Sequence, residues 1–459
     1  MAEQFKEQGG IATMDPSRLY RWLTSKVMTR LGRPERLVRN RAKIEKQRVK
    51  SGQPHRVEYF HQVDDGYSHL AAQVLQSLTE RYDVELVCHL VSGPKGDNLP
   101  EPDLLLTLAR YDAFHVAPDY GLEFPECETL PGQAEVRKVE AILAAQSDDD
   151  FIRNAAEVGG ALWAGDHDAL ERIAQRLGSA TDSALAERLE AGNARQRELK
   201  HYSGAMLYYG GEWYWGVDRL YHLEKRLAEL GADRQPGEAM LVPRPTVEAG
   251  PLRDDGTLTL EVYPSLRSPY TSISFDRAVE LARATGVKLV VRPVLPMVMR
   301  GVPATRNKGV YIFMDTAREA REAGVPYGDF YDPIGDPVRR CYSIYPWAVE
   351  QGRGIELLSS FLRAAFCQGV NTNREAGLKH VVENAGLDWG EAKTHLGETG
   401  WEEMVEENRL AMYDAGLWGV PSFRLLDENG EQVLALWGQD RLWLFAREIQ
   451  RQLARRQAD

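Results

Sequence analysis

The chain has 459 residues, 43% hydrophobic and 27% charged, with a net charge of −12 and four cysteines. That length exceeds what one hydrophobic core serves, so at least two domains are expected, and an acidic body argues against nucleic acid as the principal ligand. No apolar run approaches the roughly 18 residues of a transmembrane helix, and no charged-then-apolar leader precedes the first element, so the expected address is cytoplasmic.

The first element is a basic, helical N-terminal arm, residues 1–55. Residues 1–56 hold 14 Lys/Arg against 5 Asp/Glu, a charge of +9 that leaves −21 for the remainder. Leu19, Trp22, Leu23, Val27 and Leu31 recur at helical spacing before Gly32-Arg33-Pro34 interrupts them. Segment 15–50 thus suits peripheral contact with an anionic membrane or a protein partner. It equally suits an arm packed on its own acidic body, and that reading is preferred.

A first domain, 56–232, opens with an apolar strand at 57–61 and the polar turn Asp64-Asp65-Gly66-Tyr67. An amphipathic helix, a second strand at 84–91 and a helical stretch over 134–200 come next. A hairpin turning at Gly210-Gly211 and a last helix close the domain. His61, His69, Asp64 and Asp65 cluster near that turn, but their spacing matches no metal site, and they read as solvated turn residues. A Pro/Gly-rich linker, 233–257, leads to a second domain, 258–459. Here a strand at 259–263 precedes "SLRSPYTSISFDRAVELA", a strand at 287–294, helices over 314–415, a hairpin at Asn429-Gly430 and a final helix.

The two series are one pattern used twice. A constant shift of 203 pairs Val57 with Leu260, Glu58 with Glu261, Tyr67 with Tyr270 and Leu86 with Leu289. A shift of 222 pairs "WGVDRLYHLEKRL" from Trp215 with "WGQDRLWLFAREI" from Trp437. Strand–helix–strand implies a parallel, right-handed crossover. The fold class is therefore α/β, with two tandem thioredoxin-like domains of βαβ–helical insertion–ββα order behind the arm.

On five motifs the second copy resembles the kappa-class glutathione transferases and 2-hydroxychromene-2-carboxylate isomerases of the DsbA-like thioredoxin superfamily. These are Ser268-Pro269-Tyr270, Arg292-Pro293, Lys308-Gly309-Val310-Tyr311, Gly419-Val420-Pro421 and Gly438-Gln439-Asp440-Arg441. The likeness spans about 258–455, and the first copy resembles the family more distantly. It implies glutathione as co-substrate, a small electrophile (an enone or aromatic catabolite) as substrate, and isomerisation or transfer as the reaction. Kappa-like proteins often dimerise, so a homodimer is a further expectation.

In that resemblance Ser268 is the catalytic residue that stabilises the glutathione thiolate, the nucleophilic form. The bare residues also make it a helix N-cap followed by proline. Val420-Pro421 matches the superfamily's cis-proline, whose preceding peptide pairs with an extended ligand. Gln439, Asp440 and Lys308 match glutathione contacts, with Asp440 taking the γ-glutamyl ammonium. Tyr270 and Trp418 line an electrophile pocket or belong to the core. The loop between Arg292-Pro293 and Lys308 is shorter than in the family, which puts the chemistry beyond thiol activation in question. In the first copy Asp65 and Gly66 replace Ser268 and Pro269, and no proline matches Pro421. A carboxylate there repels a thiolate, so glutathione chemistry is expected only in the second copy. Two rivals stand beside this reading. One is a thiol–disulfide oxidoreductase, weakened because no cysteine pair stands as C-x-x-C; the other is a non-catalytic module that binds a peptide or protein.

Overall fold

A computed structural model of the chain describes residues 15–302 and 305–458. Two compact units result, an N-terminal unit, Val38–Pro245, and a C-terminal unit, Thr246–Asp459 together with Met1–Leu37. The arm is divided between them, and its residues 1–14 lie outside the described residues. Helix α1, Arg18–Gly32, packs on the C-terminal unit; α2, Pro34–Ser51, belongs from Val38 onward to the N-terminal unit. Ser17 caps α1 through its hydroxyl, and Gly32 ends it where an added Cβ would stand 2.9 Å from the Phe313 ring.

In the N-terminal unit β1 (His55–His61) and β2 (Val84–Leu90) pair in parallel. Two short helices, α3 (Gly66–Ala72) and α4 (Leu75–Arg81), cross between them. The single expected helix is broken at Gln73 and Val74. Five helices follow: α5 (Pro102–Val116), α6 (Gln133–Ala144), α7 (Asp148–Trp163), α8 (His167–Leu177) and α9 (Asp182–Glu198). Hairpin β3 (Met206–Tyr209) and β4 (Glu212–Trp215) then completes a sheet of order β2-β1-β3-β4, and α10 (Leu220–Glu229) closes the unit.

The C-terminal unit repeats the scheme. β5 (Thr259–Tyr263), α11 (Pro269–Thr285) and β6 (Lys288–Val291) form the parallel crossover. The insertion comprises α12 (Arg306–Glu322), α13 (Asp336–Glu350), α14 (Gly354–Phe366), α15 (Glu375–Asn384), α16 (Trp389–Ala392) and α17 (Trp401–Asp414). β7 (Ser422–Leu426), β8 (Gln432–Trp437) and α18 (Leu442–Ala458) follow, and the sheet order is β6-β5-β7-β8.

Both central strands are buried on both faces, with Val57, Tyr59 and Phe60 in one unit and Leu260, Val262 and Tyr263 in the other at 0–1% exposure. That explains their near-continuous apolar runs. One buried acid interrupts each run, and basic side chains meet it. Glu58 accepts from His89 and Arg195; Glu261, at the same place, accepts from Arg292. Burial works against ionisation of Glu58, yet those donors bring its pKa down to about 2.

The insertions begin earlier than the sequence suggested, at Pro102 and Arg306 instead of 134 and 314. The linker is not a free tether. Arg81 clamps Asp233, Glu224 accepts the Leu241 and Val242 N–H groups, and Gln450 bonds the backbone of Ala249 and Leu252. Among the described residues no helix is long and apolar enough to cross a membrane.

Candidate functional site

Where β5 ends, the chain turns through Pro264–Arg267 and enters α11 at Ser268. The Ser268 backbone is extended (φ −89°, ψ 117°), as an N-cap requires, and Pro269 occupies the first helical position. Its Oγ accepts the Thr271 N–H at 3.2 Å and donates to the Val420 carbonyl at 3.2 Å. Capping therefore does not exclude a ligand role, because the same hydroxyl reaches across to the β7 side of the site. Both of its bonds are internal, so a bound thiolate must displace Val420 O as the acceptor of the hydroxyl proton.

The Val420-Pro421 peptide is cis. Around it, Ser422 Oγ donates to the Gly419 carbonyl at 2.8 Å and the Pro421 carbonyl accepts the Gly438 N–H at 3.0 Å. Gly419 must lack a side chain, since a Cβ would come within 2.5 Å of the Trp437 indole. Trp418, 1% exposed, packs on Trp437 with the rings tilted at 42° and centroids 5.1 Å apart, and its carbonyl accepts from Arg300. It is a packing residue with no ring face open to a substrate.

Lys308 lies in the first turn of α12, where Thr305 caps its backbone N–H. It is 7% exposed, with Nζ 5.6 Å from the Trp418 centroid. Burial lowers its pKa to about 8, so its charge is partly lost just above neutrality. Tyr270, two residues into α11, spends its hydroxyl on Asp315 at 2.7 Å, and Asp315 also holds Arg318 at 2.5 Å. Gln439 is buried and bonds Glu319 at 3.0 Å, while the neighbouring Asp440 is partly exposed and 3.6 Å from its own neighbour Arg441. Helix α11 packs on the 439–441 turn, so Ser268, Val420 and that turn share one end of the sheet.

Sequence reading missed the supports. Thr271 receives the Ser265 N–H on its Oγ1, and Arg267, next to Ser268, is held bidentate by Asp332 at 2.8 and 3.0 Å. Asp315 carried a signal, because Tyr67 bonds Asp112 at 2.5 Å just as Tyr270 bonds Asp315. Both pairs keep the 203-residue shift, so extending the ungapped alignment past the second strand would have found them.

Strand register locates the corresponding place in the N-terminal unit. Phe60 pairs with Met206 as Tyr263 pairs with Ser422, so Ala205 stands where Pro421 does. Ala205 adopts a positive φ of 54°, and its carbonyl accepts the Gly216 N–H as Pro421 accepts Gly438. Its N–H is taken by Ser68 Oγ at 2.8 Å, which also receives the Gln62 N–H and donates to Asp65.

The turn residues here are buried, contrary to the expectation of solvation: Asp65, His61 and His69 are 7, 3 and 3% exposed. α3 packs against α5 and α7, which buries Asp65, His61 and His69 while Asp64 and Tyr67 stay partly exposed. Burial raises the Asp65 carboxyl to about 6 and lowers His61 and His69 to about 3 and 4. Among the described residues no three His, Cys, Asp or Glu side chains are grouped to hold a metal.

Residues 259–450 match the family of DSBA-like thioredoxin domains, and this part of the chain is a DsbA-like thioredoxin domain. No curated protein sequence matches the chain. Among solved structures, a 2-hydroxychromene-2-carboxylate isomerase is 22% identical at a TM-score of 0.36, over 44% of this chain and 98% of its own. A probable DsbA oxidoreductase from Streptomyces coelicolor is 18% identical at 0.33, over 42% and 90%. The cytosolic disulfide reductase DsbM from Pseudomonas aeruginosa is 18% identical at 0.35, over 42% and 99%.

Proposed function

We propose that the C-terminal unit binds glutathione and directs its thiolate at a small electrophile, as an isomerase or transferase. The observation that carries this reading is the meeting of the Ser268 hydroxyl with the Val420-Pro421 peptide, 3.2 Å apart, at the N-terminus of the 17-residue α11. As the tripeptide binds, its cysteinyl N–H replaces the Ser268 hydroxyl on the Val420 carbonyl, and that hydroxyl turns to the sulfur. A hydrogen bond to the charged form, with the helix dipole behind it, lowers the thiol pKa. In this reading Asp440 takes the γ-glutamyl ammonium and Lys308 a carboxylate. In the isomerase version the thiolate adds to a conjugated double bond, rotation follows, and elimination restores glutathione.

The N-terminal unit, read as a degenerate duplicate, offers no such exchange: a carboxylate stands at the place of Ser268, and Ser68 already occupies the N–H beside it. A thiol–disulfide reaction would need a protein thiolate at the start of α11. The unit's own cysteines do not supply one there, since Cys341 is buried in α13 and Cys367 follows α14, and burial raises both thiols. A non-catalytic peptide module keeps one observation in its favour, the internal satisfaction of the Ser268 hydroxyl. Calorimetric titration of the full chain with glutathione tests the choice: the proposal expects saturable binding and Ser268-dependent turnover. No heat, or turnover unchanged in Ser268→Ala, would refute it.

A further inference from the structure

Helix α1 is packed inside out. Its buried residues are Arg21, Ser25 and Gly32. Arg21, 1% exposed, donates to the Asp332 and Ile334 carbonyls at 2.7 Å each, and Ser25 Oγ accepts the Asp332 N–H at 3.0 Å. The opposite face carries Leu19, Tyr20, Trp22, Leu23 and Val27, exposed by 73, 62, 47, 52 and 47%. A surface helix of a globular protein ordinarily turns these faces the other way. Leu19, Leu23 and Val27 form a row at intervals of four, flanked by the two aromatic rings, and so large an exposed apolar strip marks a contact surface.

The charges on that face say what it meets. Lys26 and Arg30 are exposed along it, and no Asp or Glu occurs between residues 18 and 32. A two-fold pairing with a second copy would set these cations against each other with no carboxylate to offset them. Anionic headgroups above acyl chains suit both features: the cations stay among phosphates while the leucines and valine enter, with tryptophan and tyrosine at the boundary. The remaining chain after residue 56 carries −21 and is repelled from the same surface, which confines contact to the arm.

We propose that α1 is a peripheral membrane anchor, laying Leu19, Leu23 and Val27 into an anionic phospholipid surface while Lys26 and Arg30 meet the headgroups. This is independent of the glutathione reading. The test is flotation of the full chain with vesicles of equimolar phosphatidylcholine and phosphatidylglycerol, and with phosphatidylcholine alone. The anchor predicts flotation with the anionic vesicles only, released as salt rises and reduced about tenfold or more in Leu19→Glu/Leu23→Glu. Lys26→Glu/Arg30→Glu, which spares the apolar row, is expected to weaken it likewise and decides the matter should the first variant not fold. Absence of flotation, or flotation that neither variant changes, overturns the proposal. So does dimerisation abolished by the leucine variant without vesicle binding, which gives the face to a second copy. Flotation that requires removal of residues 2–14 overturns it too, in favour of that segment as the cover.

Discussion

Two substitutions at Ser268 separate capping from catalysis. Ser268→Ala removes the cap of α11, a loss of about 1 kcal/mol of stability. Under the glutathione proposal it also removes the thiolate's donor, and a hydrogen bond to a charged group contributes about 1.5–3 kcal/mol. At about 1.4 kcal/mol per unit, the pKa of bound glutathione should rise by about one to two units. Ser268→Asp keeps a cap, since Asp65 at the corresponding place accepts the Tyr67 and Ser68 N–H groups. It also sets a carboxylate beside the sulfur, a repulsion of about 4 kcal/mol at 4 Å and an effective dielectric of 20. Stability should therefore run wild type, Asp, Ala, whereas the bound thiol pKa should run wild type, Ala, Asp. Thermal melts give the first order, and titration of the ultraviolet thiolate band gives the second. Activity that follows the stability order, with Ala worse than Asp, would refute a direct contact between this side chain and the sulfur.

Gly419→Ala forces a methyl group against the Trp437 indole, and overpacking of this kind costs about 1–3 kcal/mol; a melting temperature equal to wild type would contradict that. Tyr270→Phe leaves Asp315, 2% exposed, with one donor fewer and should destabilise by about 1–2 kcal/mol in a denaturant titration, with Arg318 limiting the loss. The pH dependence of the N-terminal unit follows from His61, His69 and His201, depressed by burial to about 3, 4 and 3 from 6.5. Below pH 6.5 the unfolded chain takes up protons that the folded unit refuses, so stability falls as pH drops. Asp65, raised from 3.8 to about 6, works in the opposite sense between those values, because there the folded state holds the extra proton. Three imidazoles outweigh one carboxyl, and a melting temperature that stays level or rises from pH 6.5 to about 5 would contradict the net sign.

The strands, the crossovers and both hairpins were legible because period, length and turn residues agreed at each. Ser268 and Val420-Pro421 were legible as motifs, and they meet. Burial was not. The Asp64–Tyr67 turn looks polar in sequence, yet helices from the insertion cover it, a long-range effect that local composition does not encode. The arm's helix was equally legible as amphipathic, but its orientation was not: Arg21 reaches backbone carbonyls that exist only once Asp332 and Ile334 are folded, and so the polar face goes inward. Trp418 could be read as pocket or core, and packing on Trp437 decides for core.

The most direct measurement is a crystal structure of the full chain grown with glutathione. The account predicts the sulfur within hydrogen-bond reach of Ser268 Oγ, the cysteinyl N–H on the Val420 carbonyl, and the hydroxyl released from it. Glutathione bound elsewhere, or the Ser268–Val420 bond intact beside an uncoordinated thiol, would contradict it.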